Sequence, residues 1–144
     1  MKGDPIYYRK GYKYQLSRDA TTDLKLFVPF PALFGDIITE YIVLTSEGVL
    51  WNKRGYAWDG CSGPTWDDKT NMRGGMVHDS FYQLIRLGLL PPAWKEYADD
   101  LLRAICLAKG MSSIRGWYYH EGVKDFGGKA AQPGYEPYPE LTAP

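Results

Sequence analysis

Cysteine is scarce in this chain: Cys61 and Cys106 are the only two in 144 residues. That number excludes a disulfide scaffold, lacks the paired spacing of a zinc site, and makes a reducing compartment the simpler setting. No run of about 18 apolar residues occurs, so a membrane-spanning helix is excluded. Excess charge of either sign is also missing. Seventeen Lys and Arg stand against seventeen Asp and Glu, and nothing global draws the molecule to nucleic acid or to an anionic membrane surface. Met1 to Pro5 lead into Tyr, Arg and Lys rather than an apolar stretch, so no secretory signal is expected. Neither the Gly-x-Ser-x-Gly elbow of serine esterases nor a phosphate-cradling Gly-x-x-x-x-Gly-Lys-Ser/Thr loop is present.

Apolar and aromatic residues are abundant, at 44% and 15%, enough to offset chain entropy and exclude a wholly disordered chain. The length suits one folded unit. We read residues 1–130 as a single α+β domain and residues 131–144, with Pro133, Pro137, Pro139 and Pro144, as an extended tail lying on the body or on a partner.

The domain divides into unlike halves. From Ile6 to about Trp58 the pattern alternates with period two: Tyr12, Tyr14 and Leu16 form one set, and Leu24, Leu26 and Val28 another. These predict antiparallel strands and hairpins. Arg9 to Gly11 and Ser46 to Gly48 suit turns, and Tyr41 to Thr45 with Val49 to Asn52 make the clearest hairpin. Pro29 and Pro31 deny ladder donors, so the stretch around them is an edge or a connection. A long Gly- and Asp-rich loop follows, from Gly55 to Asp68.

Beyond it the period becomes helical. Val77, Phe81, Leu84 and Ile85 form the stripe of a helix capped by Thr70 or Asn71 and ending near Gly88. Pro91 and Pro92 open a second helix whose Trp94, Tyr97, Ala98, Leu101, Leu102 and Ile105 face a core before Gly110. A third starts at Ser112 or Ser113, carries Ile114, Trp117 and Tyr118, and fades at Gly127. The short Pro-Pro connection predicts that the first two helices pack antiparallel.

With only two histidines, imidazole chemistry has few places to be. His78 lies in the first helix beside Asp79, with Tyr82 one turn later on the same side. A neutral imidazole accepts a proton near pH 7 when a carboxylate holds its other nitrogen and fixes the tautomer. Asp99 and Asp100 on the second helix can supply that carboxylate. Asp99 shares a side with Leu102 and Cys106, whereas Asp100 neighbours Arg103 at i+3, so Asp99 is the expected partner. His120 has no acid motif around it and suits a surface or capping role.

Asp59-Gly60-Cys61-Ser62-Gly63-Pro64, then His78-Asp79-Ser80-Phe81-Tyr82, then Ala98-Asp99, occurring in that order, resemble an uncharacterised bacteriophage family known as a domain of unknown function, over roughly residues 41 to 128. That resemblance implies a phage context, with the virion or the host cytoplasm as the location. More distantly, His-Asp-x-x-Tyr on one helix, a glycine-rich loop before it and an Asp on the next antiparallel helix are similar to secreted phospholipase A2. This second resemblance implies that His78 activates a water, Asp99 orients His78 and Tyr82 supports Asp99 by a hydrogen bond. It further implies that Asp79 ligates Ca²⁺ together with Asp59, Gly60 and other carbonyls of the Tyr56 to Gly63 loop. The ion would stabilise the oxyanion formed from a lipid or other ester. The chain departs from that class in lacking its disulfides, with Gly74-Gly75 where paired cysteines precede the His-Asp.

Each of these residues has a plainer reading. His78 bonded to Asp99 can simply tie two helices together, and Asp59, Asp67 and Asp68 can make turns or cap the next helix. Cys61 is a second conceivable nucleophile, with His78 as its base. Five tryptophans and twelve tyrosines can form a stacking platform for sugars or single strands, but such residues usually belong to core and sheet, and no basic stripe accompanies them. Against hydrolysis stands a role as a virion or tail accessory protein, in which the β half and the Pro/Tyr tail bind other phage virion proteins.

Overall fold

Gly48 closes the central hairpin. At φ +87° it takes a conformation that side chains resist, and the Gly48 N–H donates to Thr45 O at 3.0 Å while Thr45 N–H donates to Val49 O at 2.9 Å. The flanking strands are β5 (Ile42–Leu44) and β6 (Val49–Asn52). With β3 (Ala20–Asp23) and β4 (Ile37–Ile38) they form an antiparallel four-stranded sheet ordered β3-β6-β5-β4. A two-stranded pair joins β2 (Tyr14–Gln15) to β7 (Ala57–Trp58), and another joins β1 (Ile6–Tyr8) to β8 (Leu141–Ala143), both antiparallel. The computed structural model describes residues 6–8, 13–60, 69–126, 131, 133 and 141–143. Tyr12, the Arg9 to Gly11 turn and most of the glycine-rich loop lie outside them.

One expected strand is not there. Leu24 to Leu26 form a 3-10 turn rather than continuing in period two towards Val28. Asp23 caps the turn, accepting from the Lys25 N–H at 3.2 Å, and Leu24 donates its N–H to Gly48 O. The strand therefore stops where its partner β6 begins at Val49, and the prolines beyond could not have extended the ladder. Of the alternating set only Leu24 is buried, whereas Leu26 is 77% exposed.

Three helices follow: α1 (Met72–Arg86), α2 (Trp94–Ala108) and α3 (Ser113–Phe126). Asn71 occupies the N-cap position of α1, but its side chain makes no capping bond. After α1 the chain turns at Gly88, φ +73°, and Trp94 N–H donates to Pro91 O to open α2. Ser112 caps α3, its Oγ accepting from Arg115 N–H at 3.2 Å. The ring of Phe81 stacks on Trp94 near one end of the α1–α2 pair, and Gly74 meets Cys106 near the other, so the two helices run antiparallel. The protein is α+β, with β1 to β7 ahead of the three helices and β8 after them.

Apolar burial holds these layers together. Leu44, Leu50, Phe81, Leu84, Ile85, Leu101 and Ile105 are all fully buried in one cluster spanning sheet, α1 and α2. Each such side chain contributes on the order of 1.5–3 kcal/mol relative to exposure. Two polar ties fix α1 on the sheet: Asn52 Nδ2 of β6 donates to Ser80 Oγ at 2.7 Å, and Arg73 Nη1 donates to Thr21 O and Thr22 Oγ1. Ala131 joins the core, and β8 brings the tail back onto β1.

Candidate functional site

Helical periodicity sets up the site. His78 and Tyr82 stand one turn apart on the side of α1 that faces α2, and their rings approach to 4.1 Å between centroids. From α2, Asp99 inserts its carboxylate between them. His78 Nε2 lies 2.8 Å from Asp99 Oδ1, and Tyr82 OH donates to the same oxygen at 2.7 Å. Lys95, one turn earlier on α2, donates from Nζ to Oδ2 at 2.8 Å. Both carboxylate oxygens are therefore engaged. Asp99 and His78 are only 2% and 4% exposed, so an ionised carboxylate there depends on these donors.

The electrostatics follow from that arrangement. Burial alone would raise the Asp99 pKa, but the bonds from His78, Lys95 and Tyr82 outweigh it and hold the carboxyl below its usual range. For His78, burial disfavours the imidazolium, yet Asp79 and Asp99 outweigh burial and raise the imidazole above its ordinary value of 6.5. Tyr82 is pushed far above the ordinary phenol range by burial and by the Asp99 charge. It stays protonated and is an obligate donor. With Asp99 ionised at Nε2, the neutral imidazole carries its proton on that nitrogen and offers the Nδ1 lone pair on the opposite edge. That edge faces Asp79, whose Oδ1 is 3.7 Å from Nδ1 and whose side chain is 27% exposed.

Asp79 thus borders the imidazole edge that could serve as a base. Its carboxylate is partly exposed, and carboxylate oxygen is the hard donor type that Ca²⁺ takes. Asp59 is differently occupied: its Oδ1 accepts from Lys13 N–H at 2.8 Å, joining the β2 end of the chain to the start of the loop. Gly60 turns the chain at φ +82°. Cys61 to Asp68, including the candidate nucleophile Cys61 and the remaining loop carbonyls, lie outside the described residues. Among the described residues, no three His, Cys, Asp or Glu side chains gather as a metal-holding group.

Lys95 escaped the sequence analysis, although its i,i+4 spacing to Asp99 on an amphipathic helix is legible. His120 was placed at a surface or cap, but it has an acid partner from another helix. Its Nε2 is 2.7 Å from Asp100 Oδ1, and its side chain is 18% exposed. The consecutive residues Asp99 and Asp100 therefore each hold one of the two histidines, one from α1 and one from α3. Of the aromatic residues considered as a platform, Trp58 is buried beneath Tyr56 and Tyr14, and among the described residues its Nε1 has no hydrogen-bond partner. Trp51 is half-exposed, its Nε1 donating to Asp19 at 3.0 Å. No family model, curated protein or solved structure matches the chain.

Proposed function

We propose that the protein is a phage-encoded hydrolase of lipid or other ester bonds, with His78 as general base, Asp99 as the group that orients it and Tyr82 as the donor that steadies Asp99. One observation carries the reading: His78 Nε2 is committed to Asp99 at 2.8 Å, which leaves Nδ1 as the proton acceptor on the side bordered by a partly exposed carboxylate. A water at Nδ1 would be deprotonated as it attacks the ester carbonyl, and the imidazolium so formed would be stabilised by the charge of Asp99 and then return its proton to the leaving oxygen. Asp79, with carbonyls of the loop at Asp59 and Gly60, would hold a Ca²⁺ ion. When bound, the ion supplies positive charge for the developing oxyanion. Phage origin is supported by the ordered Asp-Gly-x-Ser-x-Pro, His-Asp-x-x-Tyr and Ala-Asp motifs.

The test is release of fatty acid from short-chain phosphatidylcholine by the full chain, with Ca²⁺ and with EDTA. Wild type should turn over, and His78→Gln, whose amide can still donate to Asp99, should lose about 10²- to 10⁴-fold with little change in melting temperature. Absence of turnover in both conditions, or full activity in His78→Gln, would sink the proposal.

A second reading has its own observation. His78 and Asp99 are almost fully buried, as suits a polar tie between helices in a non-catalytic virion or tail accessory protein. In that case His78→Ala alters stability and the wild-type chain hydrolyses no ester.

A further inference from the structure

We infer that Lys95 is a positioning residue that locks the Asp99 carboxylate, and through it the tautomer of His78. The inference rests on the hydrolytic reading only for its consequence in turnover; the geometry stands without it. Asp99 Oδ1 has two donors to satisfy, His78 Nε2 at 2.8 Å and Tyr82 OH at 2.7 Å, both from α1. One oxygen serving two donors leaves the carboxylate free to swing about its own axis unless the second oxygen is anchored. Lys95 is that anchor, with Nζ 2.8 Å from Oδ2. The two residues sit one turn apart on α2, so the anchor belongs to the same rigid element as the acid, while both Oδ1 donors come across the helix interface. The ammonium also lies 5.9 Å from the centroid of the Tyr82 ring, so it contacts the phenol as well as the carboxylate that the phenol bonds.

Among the described residues, the charged and titratable groups around this carboxylate and its histidine are Asp79, His78 and Tyr82 of α1 and Lys95 of α2. Lys95 is the cation among them whose charge does not depend on the proton at His78. Removing it leaves Oδ2 of a nearly buried carboxylate without that donor. The group then turns to share its charge differently, and His78 Nε2 loses its fixed acceptor. The imidazole proton is no longer confined to Nε2, and the Nδ1 lone pair is present only part of the time. Lys95 itself is 22% exposed at its side chain, so substitution there avoids opening a core cavity.

The experiment is ¹⁵N correlation spectroscopy of the His78 ring in the full-length chain at alkaline pH, where the ring is neutral. Wild type should show the Nε2–H tautomer alone. Lys95→Met and Lys95→Gln should both show a mixture with the Nδ1–H form, and Lys95→Arg should restore the wild-type pattern. If the methionine variant fails to fold, the glutamine variant carries the test. A pure Nε2–H signal in the folded Met or Gln variant overturns the inference, even if either variant is less stable, because loss of stability alone is what a merely structural lysine would give. In phosphatidylcholine hydrolysis, Lys95→Met should lower kcat on the order of 100-fold while leaving KM unchanged. A tautomer shift in a chain whose wild type hydrolyses nothing would uphold the role of Lys95 and reject the hydrolytic reading, so the two failures are distinguishable.

Discussion

Gly74 of α1 sits against Cys106 of α2 so closely that a Cβ on the glycine would stand 2.8 Å from the cysteine Sγ and 3.3 Å from the backbone oxygen of Leu102. This contact sets how near the two helices come, and it lies one helical turn before His78. Short side chains at the crossing allow the 2.8 Å bond between His78 and Asp99 to form without stretching either residue from its helix.

Gly74→Ala should therefore destabilise the protein although alanine is the better helix former. Backbone oxygen cannot retreat as a flexible side chain can, so overpacking should outweigh the gain in helix propensity and cost about 1–3 kcal/mol. Urea unfolding measures it. A variant as stable as wild type would show that the helices can part without loss, and that Gly74 does not set their separation.

Asp99→Ala should be among the most damaging single substitutions in the chain. It strands the buried donors of His78 and Tyr82 and leaves the Lys95 ammonium without its carboxylate. Breaking a buried charged network by removing one partner costs about 3–5 kcal/mol. Asp99→Asn keeps the shape and one acceptor, and should cost clearly less. The ranking, read from chemical denaturation, is the outcome that matters; equal losses would mean that the shape of the site, not its hydrogen bonds, carries the stability.

Stability should be greatest in mildly acidic solution. The folded pKa of His78 is raised, so its contribution is fully present below the ordinary 6.5 and is lost as pH rises through the folded value. The folded pKa of Asp99 is lowered, so its contribution is present above the ordinary 3.8 and is lost as pH falls through the folded value. Melting temperature against pH should decline on both sides of that window. His78→Gln should flatten the alkaline limb selectively. An unchanged alkaline limb in that variant would assign the decline to another group.

Asn52 offers a contrasting case. It is fully buried, yet among the described residues its Oδ1 has no hydrogen-bond partner, while the Ser80 hydroxyl that receives its Nδ2 also donates to Met76 O at 2.8 Å. Replacing Asn52 with leucine removes an unsatisfied oxygen and leaves Ser80 bonded. The change should alter stability by less than about 1 kcal/mol in either direction, despite complete burial. A loss of several kcal/mol in calorimetry would show that Oδ1 has a partner in solution, such as an ordered water.

Much of this architecture is legible in the amino-acid sequence. The apolar spacing of Val77, Phe81, Leu84 and Ile85 marks α1, the proline pair and Gly110 bracket α2, and the wheel position of Asp99 beside Leu102 and Cys106 separates it from Asp100. These are local signals, because helical periodicity and chain-breaking residues act within a few positions. Leu24 to Leu26 form a 3-10 turn and not a strand for the complementary reason. Period-two alternation is compatible with a strand, but a strand needs a neighbour, and β6 has already turned at Gly48 where the extension would pair.

Composition and periodicity by themselves determined the class of the fold, the helix pair and the residue types that could meet across it, since these depend on which side chains avoid water and where the backbone can bend. Tertiary structure alone decided that Lys95 and Tyr82 join His78 on one carboxylate, that His120 finds Asp100, and that the last strand returns to the first. Such contacts depend on helix separation and rotation, and those are set by packing between positions such as Gly74 and Cys106, which are distant in sequence and meet only in the folded chain.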